Sequence, residues 1–452
     1  MRTELWVKNG LVYTDKGFQQ MDIKVTDQKI DLIRENNAEP LAQKQSVTII
    51  DASGCLVVPG FIDAHVHFND PGRTAWEGME TGSRAAAIGG TTTLFDMPLN
   101  CKPSVTSLQS LVDKKRYLSS LSYVDYALWG GMTGDTIQSQ EFTRMEEGII
   151  AWKAFMCESG IEDFKMVSYE ELKQAMKIAK EQNKILALHA EWEDEMNKLT
   201  SFYKQTRIND RIAYLNSRPI YAEEKAVSNA LELAAAYGTS VHFVHISSSR
   251  VIEMIQQAKK SGVNVTVETC PHYLVFDDQD FIRQGPILKC APPLRSREEV
   301  EKLWDCINRG WVDTIASDHS PCLYSMKLTN SIWDAWGGIQ GVQYTWLALL
   351  DQALKRKISL SRIIPLGTVN VADRFGVADR KGRILSGMDA DLVLIALDEQ
   401  THVDQKSMAF RNPFSPYEDF TFQLKIKKTI LRGKVIYDDQ IGVTEKHGIC
   451  LL

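Results

Sequence analysis

The stretch GFIDAHVHFNDPGR, residues 60–73, closes an apolar run with two histidines one residue apart and then breaks into turn residues. On a strand, side chains at i and i+2 share a face, so His65 and His67 can address one bound object together. A pair of imidazoles at a strand end needs further donors from elsewhere in the chain, and a fold that brings them there.

Seven further β-rich runs end in the same way, in turn or polar residues. They are TTTLFDMP (91–98), SYVDYALWG (122–130), IIAWKAFM (149–156), ILALHAE (185–191), SVHFVHISS (240–248), NVTVETCPH (264–272) and VDTIASDHS (312–320). Between them lie stretches such as SYEELKQAMKIAKEQN (168–183) and AEEKAVSNALELAAAYG (222–238), apolar at i, i+3, i+4 and i+7 as an amphipathic helix requires. Eight strand–helix units predict an α/β protein built on a (β/α)8, TIM-like barrel over residues 58–375. Residues 1–57 and 376–452 read instead as short strands with turns, LWVKNGLVY and MDIKVTDQKIDLI at one end, DLVLIALD and TFQLKIKKTILRGKVIYDD at the other. The expectation is one small β-sandwich made by both termini, with the barrel inserted between its halves. No internal repeat or low-complexity segment is visible.

Composition narrows the function classes. With 452 residues, 44% hydrophobic and 24% charged, the chain suits a soluble protein with a large core. A formal charge of -6 without any basic tract argues against nucleic acid or an anionic membrane as partner. No apolar run approaches a membrane span, and MRTELWVKNG lacks the apolar core of a signal peptide. Eight cysteines without a CxxC pair read as reduced thiols, hence a cytoplasmic location.

The barrel gives the histidines their meaning, because catalytic side chains of this architecture project from the C-terminal ends of the strands. Those ends carry His65, His67, Lys153, His189, His245 and Asp318. Nitrogen and oxygen donors of this kind suit Zn²⁺ or a related divalent ion. Singly the signals are weak: an HxH pair can be structural, and His189 alone reads as a satisfied buried histidine. His242 and His245 lie an odd number of positions apart and so on opposite faces, and His245, at the strand end, is the candidate ligand. His272 is open between support of the site and simple core packing, His319 points away from Asp318, and His402 and His447 are expected in solvent. Lys153 is the odd member, since an ammonium inside an apolar strand is costly unless paired. Either its head snorkels out, or its neutral amine adds CO₂ and becomes a carbamate able to bridge two ions. One ion would then be held by His65, His67 and Asp318, the other by His189 and His245, with a bridging hydroxide completing the site.

PGFIDAHVH, GTTTLFDMP, WKAFM, ETCPHY, APPLR and SDHSPC together resemble the cyclic amidohydrolases of the amidohydrolase superfamily, a group of dihydroorotases, hydantoinases (dihydropyrimidinases) and allantoinases. The resemblance covers nearly the whole chain, including GRILSGMDADLVL near its end. It implies two Zn²⁺ per subunit, CO₂ for conversion of Lys153 to N6-carboxylysine, and all six ligand positions matched here. It also implies hydrolysis of a cyclic amide by the bridging hydroxide, with Asp318 carrying the proton, and a homo-oligomer, commonly a tetramer. A non-enzymatic scaffold of the same fold is the reading from another class, and the complete ligand set opposes it.

Departures from relatives narrow the substrate. Dihydroorotases follow HxH with an arginine two residues on, where this chain has Asn69; hydantoinases carry a tyrosine five residues after the lysine, where this chain has Glu158. What is left is the allantoinase branch, with which DPGRTAWEGMETGSRAAAIGGTTT, DMPLN and DAWGGIQGVQ also agree. The expected reaction is allantoin to allantoate in purine (ureide) degradation, with a hydantoinase/dihydropyrimidinase or dihydroorotase activity as the alternative. Candidate substrate contacts are Asn100, Ala291 in KCAPPLR and Gly337 in WGGIQG; plain loop architecture is the competing reading of each. Arg73, in the DPGR turn, is expected to be structural.

Overall fold

The computed structural model describes residues 4–35, 47–206 and 210–452. Each of the eight runs named above supplies one parallel barrel strand: β1 (Phe61–Val66), β2 (Thr91–Asp96), β3 (Asp125–Leu128), β4 (Trp152–Phe155), β5 (Leu186–His189), β6 (Val241–Phe243), β7 (Val265–Thr269) and β8 (Thr314–Ile315). Nearly all their residues are buried, as expected of a parallel sheet filled inside and clad by helices outside. The ladder passes from β3 to β4 through Gly130 and Gly131, which pair with Trp152 and Lys153. A Cβ on Gly130 would stand 2.6 Å from the Trp152 ring, so a glycine is what lets the strands meet. The ring shuts between β8 and β1, where the His67 N–H donates to the His319 carbonyl at 2.8 Å and the Ser317 N–H to Asp63 at 3.1 Å.

The helical patterns fold as their periodicity demands. The helix Tyr169–Glu181 starts at Ser168, whose hydroxyl and the Glu171 side chain form a reciprocal capping box, and it buries Leu172, Ala175, Met176 and Ala179. The helix Ile220–Tyr237 stops at Gly238, whose φ of 67° is the left-handed conformation a side chain would oppose.

Outside the barrel lies a β-sandwich domain of nine described strands from both chain ends. Its seam is Cys55–Pro59, which pairs in parallel with Glu4–Thr14 and antiparallel with Leu392–Ala396 before running into β1. The 57/58 position therefore falls inside a strand, and 375/376 at the end of the helix Val369–Phe375. Part of the C-terminal segment leaves the sandwich for the barrel: Asn412 donates to the carbonyls of Ala75 and Trp76, and Ser415 to that of Gln340. His447 corrects one expectation. It is half-buried, because the last residues lie along β3, with Tyr126 N–H donating to Ile449 at 2.9 Å and Leu451 N–H to Tyr126 at 2.8 Å. His402 is exposed as expected.

Barrel and sandwich are tied by a buried ionic cluster. Lys381 Nζ lies 2.7 Å from Asp125 at the start of β3, 3.0 Å from Asp389 and 2.6 Å from Asp391. Arg432 pairs with Asp125, and its backbone N–H donates to Asp391 at 2.8 Å. Burial opposes the Lys381 charge, but the three carboxylates outweigh it and hold the ammonium above its usual range. No helix among the described residues is long and apolar enough to cross a membrane. Removing one member of a buried ionic cluster strands the others without compensation, which typically costs about 3–5 kcal/mol. Lys381→Met should therefore lower the stability of the protein by about that amount, read as a shift of the urea midpoint at unchanged slope.

Candidate active site

The mouth of the barrel opens on a cavity of about 400 Å³ whose lining includes His65, His67, His189, His245 and Asp318. Lys153, in β4, is fully buried close to these groups. His65 belongs to β1 and His67 follows it, their rings 5.4 Å apart. His65 Nε2 and His67 Nε2 lie 3.2 and 3.5 Å from Asp318 Oδ1. The rings of His189 and His245 are 4.6 Å apart, and those of His65 and His245 5.4 Å. His245 and Asp318 lie beyond the ends of β6 and β8 with φ of 41° and 45°, a left-handed backbone that non-glycine residues seldom adopt. Such strain is held only by surrounding structure and is typical of functional positions.

The chemistry of the donors follows from burial. Burial lowers the basicity of His65, His189 and His245, leaving neutral imidazoles with a lone pair to offer. Burial would push Asp318 upward, but the surrounding imidazoles, His65 foremost, reverse this and hold its carboxyl well below the usual range. Burial brings the Lys153 ammonium down to about 8, with no hydrogen-bond partner on Nζ. His67 Nδ1 and His245 Nδ1 are likewise buried without partners. Ligand atoms of His65, His67 and Asp318 all lie within 4.8 Å of one another. Orphaned donors of this kind, neutral imidazoles and an ionised carboxylate are what a divalent metal centre requires, so the residues fit one.

Sequence reasoning missed the groups behind these residues. Glu268, inside β7, faces His65 Nδ1 at 2.8 Å, accepts from the His245 backbone N–H at 3.3 Å, and meets His242 Nε2 at 3.4 Å. Burial raises Glu268, yet His65 and His242 prevail and bring it to about 2. Its engagement of Nδ1 aims His65 Nε2 at the cavity. His242 thus turns toward the barrel interior rather than to an opposite outer face: β6 ends at Phe243, so simple alternation does not extend to His245. Glu191 does for His189 what Glu268 does for His65, facing Nε2 at 2.8 Å, and is itself gripped by Arg218 at 2.5 Å. A charged residue in a barrel strand, the signal that marks Lys153, also marks Glu268; nothing local marks Arg218.

The remaining expectations resolve individually. Asn100, Ala291 and Gly337 line the cavity, as does Glu158. Asn69 turns aside, donating to the Pro321 carbonyl at 3.3 Å. Arg73 braces the following loop through the Asn100 carbonyl at 3.0 Å. His319 accepts from the Gly341 N–H at 3.1 Å and lies 3.7 Å from Glu77, away from the cavity. His272 packs on Tyr273 and is not part of the cavity lining; burial lowers it to about 4. Around Gly337 the wall is pinned by two buried lysines. Lys289 donates to the Ala335 carbonyl at 2.6 Å, and Lys327 to those of Trp336 and Gly338 at 2.8 and 2.7 Å.

A parallel barrel that gathers imidazoles and a carboxylate at its mouth defines a barrel hydrolase with a metal-binding site. The chain belongs to the amidohydrolase family, whose model matches residues 56–436. It is 40% identical over 440 residues to an allantoinase of Bacillus velezensis, covering 97% of this chain and 95% of the relative. It is 39% identical over 451 residues to an allantoinase of Solibacter usitatus, covering 100% and 97%. Among solved structures it superposes on the L-hydantoinase (dihydropyrimidinase) of Arthrobacter aurescens with a TM-score of 0.94 at 29% identity, covering all of both chains. Membership of this family implies a binuclear metal centre. Carboxylates that orient ligating histidines are typically worth 10–100-fold in metal affinity. Glu268→Gln should weaken metal binding by about that factor in a competition titration, with a near-native circular dichroism spectrum.

Proposed function

We propose that this chain hydrolyses the hydantoin ring of allantoin to give allantoate. The observation that carries the reading is near-full-length similarity to proteins named allantoinase, in a chain with no arginine at Asn69 and no tyrosine at Glu158. His65, His67 and Asp318 would hold one Zn²⁺, and His189 and His245 a second. Lys153, as its carbamate, would link the two: the neutral amine that burial favours adds CO₂ and releases a proton. Bound there, the ions supply Lewis acidity toward the carbonyl oxygen and a water of lowered pKa.

The protein's own part is positioning and proton transfer. Water oxygen bonds to the ring carbonyl carbon, the C–N bond breaks, and a carboxylate, an amide nitrogen bearing one more hydrogen, and one proton released to solvent result. Asp318, ionised and at the cavity surface, accepts the proton of the attacking water and returns it to the departing nitrogen. Neutral backbone groups around Ala291 and Gly337 and the side chain of Asn100 suit a small, uncharged, amide-rich substrate.

The hydantoinase reading draws on one further observation, a tyrosine in the cavity wall. Tyr214 donates its hydroxyl hydrogen to the Cys290 carbonyl at 2.8 Å, so that proton is committed elsewhere. A hydroxyl aimed at a developing oxyanion is worth roughly 10²–10³ in rate. With one metal-loaded preparation, kcat/KM for allantoin should exceed that for dihydroorotate and for unsubstituted hydantoin by at least about a hundredfold, roughly 2.7 kcal/mol. Equal turnover of dihydropyrimidines would overturn the assignment. Asp318→Asn should retain most of its metal by elemental analysis and lose about 10²–10⁴ in kcat, since an amide cannot shuttle the proton.

A further inference from the structure

Arg218 is the one guanidinium in the cavity wall among the described residues. Its place is fixed: it directly precedes Pro219, the N-cap of the helix Ile220–Tyr237, and its carbonyl accepts from Arg295 Nη1 at 2.6 Å. Nε and Nη2 donate to the two oxygens of Glu191 at 3.1 and 2.5 Å. Nη1 has no oxygen partner among the described residues, the Cys157 thiol also borders the guanidinium, and the side chain keeps 18% of its surface exposed. The Nε–Nη2 edge is therefore already engaged by a carboxylate, and the charge behind it is compensated.

What remains is the outward N–H face of Nη1 on an electrically balanced pair, able to donate to a neutral carbonyl oxygen while offering little net charge to an anion. Resting on the allantoin reading, we propose that Arg218 is a specificity-determining residue whose Nη1 donates to the ureido carbonyl of the substrate. Glu191, by compensating the guanidinium, keeps the site selective against rings that carry a carboxylate. The pair would thus do two things at once, orienting His189 on one side and reading the substrate's side arm on the other.

The two roles separate experimentally, because hydantoin itself has no ureido arm. In the metal-loaded enzyme, Arg218→Lys should reduce kcat/KM for allantoin at least about tenfold more than for hydantoin, the scale of one charge-assisted hydrogen bond. Equal losses on both substrates would mean that Arg218 only positions Glu191 and His189, and would overturn the inference. If the variant does not turn over, the same ratio is read from calorimetric binding of allantoin and hydantoin. Glu191→Gln gives an independent reading: with the guanidinium uncompensated, dihydroorotate should gain on allantoin by at least about fivefold in relative kcat/KM. An unchanged ratio there would also overturn it. The wild-type preference for allantoin over hydantoin, measured first, tests the functional assignment separately. Its absence would sink that assignment; its presence with equal losses in Arg218→Lys would sink the Arg218 inference alone.

Discussion

A carboxylate enclosed in a parallel barrel has nowhere to find water, and Glu268 takes its hydrogen bonds from β1 and β6 instead. One oxygen faces His65 and the His245 backbone, the other His242. An ionised group there, unpaired, would be severely unfavourable; paired, it fixes the orientation of imidazoles on separate strands. The imidazoles proposed as ligands are thereby oriented by a group that is not part of the cavity lining. The same logic recurs at Glu191, where a second buried carboxylate orients His189 and takes its balancing charge from Arg218. Each half of the mouth thus has its own carboxylate anchor.

The barrel separates tasks along its axis. The ionic cluster of Lys381, Arg432, Asp125 and the two sandwich aspartates sits where β3 begins, on the far side from the site. Asp125, Asp389 and Asp391 form a triad with metal-like spacing, but a lysine ammonium already occupies its centre, so it is a strut. At the other end, the left-handed backbone at His245 and Asp318 is held by hydrogen bonds around it: the His245 N–H donates to Glu268, the Ser317 N–H to Asp63, and the His319 carbonyl accepts from His67. Stability is concentrated at the strand starts and reactivity at the strand ends.

Much of this was legible in the sequence, for a physical reason. Nearly all residues of the eight barrel strands are buried, so the strands appear as runs of apolar and β-branched residues, against which a charged or imidazole side chain stands out. His65, His67, His189 and Lys153 are visible on that background, and Asp318 and His245 follow from their place after a run. What stays hidden depends on contacts distant in sequence. Glu268 lies 203 residues from His65, and Arg218 lies 27 from Glu191. The end of β6 at Phe243, which breaks the alternation expected between His242 and His245, has no local signature. The half-buried His447 is hidden for the same reason, since its surroundings are built by β3 and Arg432, far from its own segment.

Specificity resides on a different layer from the chemistry. The strand ends supply the proposed metal ligands, whereas the cavity wall comes from loops: Asn100 after β2, Glu158 after β4, Arg218 before a helix, Ala291 and Gly337 farther on. Two buried lysines, Lys289 and Lys327, hold the stretch around Gly337 through its own carbonyl oxygens. The Trp336 and Gly338 N–H groups are engaged as well, donating to the carbonyls of Met326 and Lys289, so this stretch is a rigid backbone wall. A small polar substrate without net charge is the one such a wall complements. Allantoin meets that description on both its ring and its arm, which is why the absence of an arginine at Asn69 and the compensated charge of Arg218 point to the same substrate.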